Sequence, residues 1–246
     1  TNNMQIDLGT ANVGGNLSVQ THGGNIVQST TVGASLHVAG SSNMDAGTGD
    51  VMLSNTSNSL IGPVQVRGHN VDLAGRDGLI LDSSIVTGSL TVTAVTGHIS
   101  QTGPLRVTGI SQFNAMQGDL LLDAANSFAQ TVAMNAVNAS INSTSALTLA
   151  SSTITGNLDI QVAAGHVTQT GPLHVTGTSS IAAQNGNITL TDAANSFGDR
   201  VSINTPQALQ LTASGALSMG EVAVGLTSDL QSHGKLDLGT DRKSVV

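Results

Sequence analysis

Residues 87–108 read TGSLTVTAVTGHISQTGPLRVT, and residues 155–176 read TGNLDIQVAAGHVTQTGPLHVT. The shift between the two segments is 68 residues, as measured from Gly97 to Gly165. Because a long internal repeat constrains the whole fold, this pair decides how the rest of the chain is interpreted.

The same periodicity extends through the rest of the chain. The hexapeptide DAANSF occurs at 123–128 and again at 192–197, and a diverged earlier copy is visible in GGNLSV at 14–19. We predict about three copies that fill residues 1–246 as a single repeat segment. The copies begin near Val13, Val86 and Ile154.

Within each copy an apolar, a polar and an apolar residue follow one another, as in Leu90-Thr91-Val92 and Leu105-Arg106-Val107. Side chains two residues apart in a strand point to the same side, so each pair of apolar residues faces one interior. Gly, Asn, Asp, Ser and Thr between the pairs favour tight bends. A copy then contains roughly nine short strands, which divide into three coils of about 23 residues.

Such strands suit either a parallel β-solenoid or an antiparallel β-sandwich. A sandwich favours aromatic core residues and Asn-Gly or Asp-Gly hairpin turns. The chain has three Phe and no Trp or Tyr, and Asp77-Gly78 and Asn185-Gly186 are its turns of that kind. We therefore predict an all-β fold, a β-solenoid built from about three copies of a three-coil repeat.

Composition excludes several classes of function. The net charge is −8, with Lys+Arg 7 against Asp+Glu 15, so no basic patch is available to neutralise nucleic-acid phosphates. With no Cys, disulfides and thiolate metal sites are excluded. No apolar run approaches the roughly 20 residues that span a bilayer, so we expect a protein that is not inserted in a membrane.

One middle position between two inward residues carries His37, Arg106 and His174 in successive copies. Middle residues of such strands point outward. These three residues are predicted to form an outward stripe that contacts a partner. Equivalents three coils apart lie about 14 Å from one another, too far for a shared metal ion, and we expect no metal and no cofactor.

A second recurring set is interpreted as structural. Asn58, Asn126 and Asn195 each precede an apolar residue by two positions, and in the later copies that residue is Phe128 or Phe197. The Asn side chain suits the satisfaction of backbone groups at a bend. The following apolar residue is expected to fill a wide part of the interior.

Catalysis is considered because some β-helices cleave polysaccharides with clustered carboxylates. Asp45, Asp50, Asp119 and Asp192 lie beside small or polar residues, where Asp normally caps a turn. The densest charged group, Arg76-Asp77 with Asp82, occurs once. We therefore expect no catalytic residues and no enzymatic activity.

The units ALTLASSTITGNLDI at 146–160, GHVTQTGPLHVTGTSS at 165–180 and GNITLTDAANSFGDRVSI at 186–203 resemble the repeats of filamentous-haemagglutinin-like exoproteins. These are large adhesins that Gram-negative bacteria export by two-partner secretion. The resemblance covers nearly the whole chain. It implies a right-handed parallel β-helix, a secreted or cell-surface location, and a role in adhesion or biofilm.

The functional hypothesis is a shaft segment of a bacterial adhesin, excised from a longer repeat shaft, that attaches multivalently to surfaces, matrix or other cells. The resemblance implies a glycan, an extracellular polysaccharide or a host or bacterial surface as partner. It also implies an outer-membrane transporter for the parent protein. Two alternatives are a polysaccharide-degrading β-helix enzyme and an inert spacer that carries a distal functional domain.

Overall fold

The computed structural model of the chain describes residues 4–29 and 34–239. These residues form 32 β-strands and no helix, and the strands pair in parallel with strands of the neighbouring coils. The result is a parallel β-solenoid of about 11 turns, which confirms the predicted fold class. At ~4.8 Å per coil the solenoid is roughly 50 Å long.

The strands of the first two copies are β1 Ile6–Asp7, β2 Ala11–Val13, β3 Leu17–Gln20, β4 Ile26–Val27, β5 Leu36–Val38, β6 Ser42–Asp45, β7 Val51–Leu53, β8 Ser59–Leu60, β9 Val64–Gly68, β10 Val71–Gly75, β11 Leu79–Leu81, β12 Ser84–Val86, β13 Leu90–Ala94, β14 Ile99–Gln101, β15 Leu105–Val107, β16 Ser111–Ala115, β17 Leu120–Phe128 and β18 Thr131–Ala136. Those that follow are β19 Ala139–Ser143, β20 Leu147–Leu149, β21 Ser152–Ile154, β22 Leu158–Val162, β23 Val167–Gln169, β24 Leu173–Val175, β25 Ser179–Ala183, β26 Ile188–Leu190, β27 Ser196–Phe197, β28 Val201–Thr205, β29 Leu209–Ala213, β30 Leu217–Val224, β31 Ser228–Ser232 and β32 Leu236–Asp237.

The interior is a continuous stack of aliphatic side chains. Leu90, Val92, Leu105 and Val107 are almost completely buried, whereas Arg106 between the last two is exposed. The period-two alternation therefore has the predicted phase. Phe128 and Phe197 are buried as well, and the Phe128 ring packs edge-on against that of Phe113 with centroids 6.1 Å apart.

Asp and Asn side chains at the corners connect one coil to the next. Asp119 Oδ1 accepts a hydrogen bond from the backbone N–H of Asn138 at 3.1 Å, and Asn138 Oδ1 accepts one from Asn157 at 2.9 Å. Asp50 does the same for Asn70 at 2.9 Å. Asp45 and Asp192 instead cap their own turns by accepting from Gly47 and Ala194, both at 2.9 Å.

A copy contains one strand more than the sequence pattern indicates. Most coils contain one broad strand of four to six residues and two short strands, as in β13, β14 and β15. Once per copy, however, two broad strands follow each other directly. This happens at β9–β10, β18–β19 and β28–β29.

This extra strand means that a copy is longer than three coils. Leu90 pairs with Ser111, Ser111 with Val132, and Val132 with Leu149, so three coils advance the chain by 59 residues. The repeat equivalent of Leu90 is Leu158, nine residues further on. The expectation of nine strands in three coils of about 23 residues is thus corrected to ten strand segments in coils of about 20 residues.

The inward and outward phase predicts which substitutions the fold tolerates. Leu105→Asp is expected to lower the free energy of unfolding by about 3 kcal/mol or more, because it buries a carboxylate without a partner. Arg106→Ala, one residue away and exposed, is the control and is expected to change stability by under about 0.5 kcal/mol. Urea denaturation of both variants measures this. A larger loss of stability in Arg106→Ala than in Leu105→Asp would show that the inward and outward faces of the strand are exchanged.

Buried serines in the lumen allow a second comparison. Ser42, Ser111 and Ser179 are repeat equivalents whose buried hydroxyls have no hydrogen-bond partner in the described residues. The Oγ of Ser152, also buried, accepts from Met134 N at 3.0 Å and donates to Ala150 O at 2.9 Å.

Removing an unpaired buried hydroxyl relieves a desolvation cost, whereas removing a paired one leaves a backbone donor unsatisfied. We therefore expect Ser179→Ala to raise the free energy of unfolding by about 1 kcal/mol and Ser152→Ala to lower it by a similar amount. Unfolding of the two variants in denaturant measures whether each change raises or lowers the free energy of unfolding. Equal losses in both would mean that Ser179 is also paired.

Candidate binding surface

The broad strands stack into three flat surfaces, which we call platforms. The first platform is formed by β3, β6 and β9, the second by β10, β13, β16 and β18, and the third by β19, β22, β25 and β28. Their outward positions carry mostly Ser, Thr, Asn, Gln and Asp. Each copy therefore contributes one polar surface.

The three platforms lie on three different sides of the rod. This is visible in the coil β10–β11–β12, whose strands continue into different ladders. Strand β10 belongs to the second platform, and β12 pairs with the last residues of β9 of the first. Strand β11 leads through β14 and β17 to the third platform and pairs with β9 at Leu81–Val64, so the third platform adjoins the first within one sheet. Each point where two broad strands follow each other directly, which we call a broad–broad junction, thus moves the platform part of a turn round the rod and roughly 16 Å along the axis.

The same rotation separates the three residues predicted to form a stripe. His37 lies between Asn12 and Ser59 in its ladder, Arg106 between Ile85 and Ser127, and His174 between Thr153 and Ser196. Arg106 and His174 are exposed and His37 is half-buried. They point outward as expected, but from three sides of the rod. The prediction of a single stripe is wrong because it assumed a whole number of coils per copy.

The recurring Asn residues form buried clamps at three corners. Asn195 Oδ1 accepts from the backbone N–H of Leu173 at 2.9 Å and from Gln169 Nε2 at 2.8 Å. Asn195 Nδ2 donates back to Gln169 Oε1 at 2.9 Å and to Leu190 O at 3.2 Å. Asn126 makes the same reciprocal pair with Gln101 at 2.9 Å, and Asn58 with Gln28 at 2.8 Å.

Sequence reasoning missed the Gln members of these clamps. A usable signal was present, because Gln101 and Gln169 occupy the same position of the repeated QTGPL segment. Their Nε2 groups also donate to Gly103 O and Gly171 O, both at 2.7 Å. Each clamp satisfies buried polar groups of two adjacent coils, so the set is structural.

The third platform carries a shallow depression of about 240 Å³. Its polar lining comes from Gln161 of β22, Ser180 of β25, Ser202 and Asn204 of β28, and Glu221 of β30. Ala182, an outward residue with 9% exposure, lies among them. Because the Ala182 side chain is small, it leaves a depression between the longer side chains around it.

A β-bulge brings Glu221 to the rim of the depression. Val201 pairs with Met219 and Ile203 with Val222, so Gly220 and Glu221 both lie opposite Ser202. A Cβ on Gly220 would come close to Ser202 Oγ, so a larger residue at this position requires the Ser202 side chain to rotate. Bulges of this kind commonly redirect a side chain near a binding site.

Most of the polar side chains that line the depression are unpaired. Within the described residues, the side chains of Ser180, Ser202, Asn204 and Glu221 make no hydrogen bond, whereas Gln161 Nε2 donates to Asp159 Oδ1 at 3.0 Å. The corner Asp and Asn residues are committed to backbone donors. The groups that line the depression are therefore available to a ligand, as are exposed polar side chains of the second platform such as Gln112 and Asn135.

Charge around the rod is sparse. The ion pairs Arg67–Asp45 and Arg76–Asp77, at 3.9 and 3.4 Å, lie at the surface. Burial raises the pKa of the Asp72 carboxyl on the second platform above its usual value.

In residues 4–29 and 34–239 there is no group of three or more potential metal-ligating side chains, and no helix there is suited to crossing a membrane.

These features define a repeat β-solenoid with polar platforms that rotate from copy to copy. The model for "Repeats of unknown function (DUF5649)" matches residues 1–67, 68–135 and 136–204, so the chain belongs to this family. Its copies end one residue before the last residue of β9, β18 and β28, where the broad strands meet. No curated protein and no solved structure matches the chain.

The clamps are expected to contribute more to the free energy of unfolding than ordinary surface hydrogen bonds do. Asn195→Ala leaves the Leu173 N–H and the Gln169 Oε1 without partners, and we expect it to lower the free energy of unfolding by about 3 kcal/mol. The control is Asn135→Ala, an exposed Asn of β18, which should be neutral. Chemical denaturation measures both.

The Gln169→Ala change tests the pairing itself. The double variant Asn195→Ala/Gln169→Ala should lose less stability than the sum of the single variants, because the second change removes a group already unpaired. Strict additivity would contradict a reciprocal clamp.

Proposed function

We propose that the chain is a shaft segment of a bacterial surface adhesin, in which a stiff repeat rod presents polar platforms on successive sides for weak, multivalent attachment to polysaccharide or cell surfaces. The observation that carries the proposal is the rotation of the platforms from copy to copy. Adding copies adds contact surface in new directions and adds length at the same time.

Stiffness is supported by the coil-to-coil bonding. Parallel ladders, corner acceptors such as Asp119 and Asn138, and the buried Asn–Gln clamps all join adjacent coils. A repeat β-solenoid is consistent with a shaft. In such arrays each copy contacts its immediate neighbours, so copies are added without altering the rest.

The polar, weakly charged surface supports the choice of partner. Hydroxyl and amide groups pair well with the hydroxyls of glycans, and few cations are present to attract nucleic acid. Individual contacts of this kind are weak, and several acting together on one rod produce useful avidity. The proposal includes secretion to the surface of a Gram-negative cell through an outer-membrane transporter of the parent protein, and it assigns no catalytic step.

A series of rods with two, three and four copies tests the proposal. Deleting 68–135 joins Arg67 to Ala136, and duplicating 68–135 joins Asn135 to Gly68, each in phase with the repeat. We expect folded rods that differ by about 16 Å per copy in small-angle scattering. Attachment to glass coated with matrix polysaccharide is expected to rise in a graded way with copy number.

The readouts separate the alternatives. Attachment that is absent at all three lengths would identify an inert spacer. Release of new reducing ends from the coating would contradict the proposal and indicate a polysaccharide-degrading enzyme. A rod of unchanged length after deletion would contradict the solenoid arrangement.

A further inference from the structure

We infer that the depression on the third platform is a binding site for a neutral, hydroxyl-rich glycan chain. This inference rests on the proposed attachment function and assigns it a specific site. The site comprises Ser180, Ser202, Asn204 and Glu221 around Ala182.

The available chemistry matches sugar hydroxyls. Ser hydroxyls donate and accept, an Asn amide offers two donors and an acceptor, and a carboxylate accepts from two adjacent hydroxyls. These four side chains make no hydrogen bond among the described residues, so a ligand need not displace any internal contact. The corner residues Asp119 and Asn138, by contrast, hold the next coil.

Charge favours a neutral glycan over an acidic one. Glu221, the single Glu of the chain, lies at the rim, and no cationic side chain is among the lining residues. Its carboxylate repels uronate or sialate groups placed in the depression. Arg200 directly precedes β28 and is exposed, but it is not among the residues that line the depression.

Shape favours an extended chain. The lining residues lie on four successive strands, β22, β25, β28 and β30, which span three coil spacings or about 14 Å. A depression this shallow and without aromatic residues binds one sugar unit weakly. Several consecutive sugar units crossing the strands make enough contacts for an expected Kd of about 0.1 to 1 mM.

The test uses the 246-residue chain and a panel of soluble polysaccharides. The neutral members are a glucan, a mannan and a galactan, and the acidic members are alginate and hyaluronan. We expect isothermal titration to show binding of at least one neutral member. The double variant Asn204→Ala/Glu221→Ala is expected to weaken this binding at least tenfold.

Two matched controls separate the site from general surface effects. Asn135→Ala alters the repeat equivalent of Asn204 on the second platform and should leave binding unchanged. Ala182→Tyr fills the depression and should abolish binding, whereas Asn114→Tyr places the same side chain at the equivalent position of β16 and should not. Circular dichroism and melting curves confirm that all variants are folded.

The outcomes also distinguish the site from the proposed function. Binding of no neutral glycan, preferential binding of alginate or hyaluronan, or equal losses in Ala182→Tyr and Asn114→Tyr would overturn the site. If the rod attaches to the polysaccharide coating in proportion to copy number while Ala182→Tyr has no effect, the site fails and the shaft function stands. If the wild-type chain attaches to nothing but binds a neutral glycan in solution, the site stands and the adhesive function fails.

Discussion

The structure depends on one constraint, that every strand must find its backbone partners one coil away along the chain. In the described residues the parallel ladders join positions about 20 residues apart, as in Leu90 with Ser111 and Leu158 with Ser179. Any change in coil length therefore alters which side of the rod the following residues occupy. The broad–broad junctions make such a change once per copy, and the rotation of the platforms follows directly from it.

Much of this architecture could be predicted from local pattern. The alternation in Leu105-Arg106-Val107 indicates both the strand and the side that is buried, because side chains two apart share a face. Asn126 and Asn195 could be recognised as structural, since Asn near a bend commonly bonds to backbone. These inferences need no knowledge of which coil lies next to which.

The rest depends on the coil phase, which period-two alternation does not contain. A corner and a strand end look alike in a segment rich in Gly, Asn and Ser, so the local pattern does not reveal the extra strand at β18–β19 and is compatible with three whole coils per copy. The pairing of Gln169 with Asn195, 26 residues later, becomes visible only when coil length is known. The same holds for the depression, because Glu221 reaches it through a β-bulge opposite Ser202.

Rotation of the copies has a physical consequence for binding. If each copy were a whole number of coils, equivalent residues would lie in one line, and a flat surface could contact all of them at once. Because the copies are rotated relative to one another, His37, Arg106 and His174 face three directions, and a flat surface cannot contact the platforms of successive copies at once. A flexible polymer that winds round the rod meets them all. For the attachment function that we propose, this geometry suits flexible polymer chains better than rigid flat surfaces, because a flexible chain can follow successive platforms and gain avidity from each.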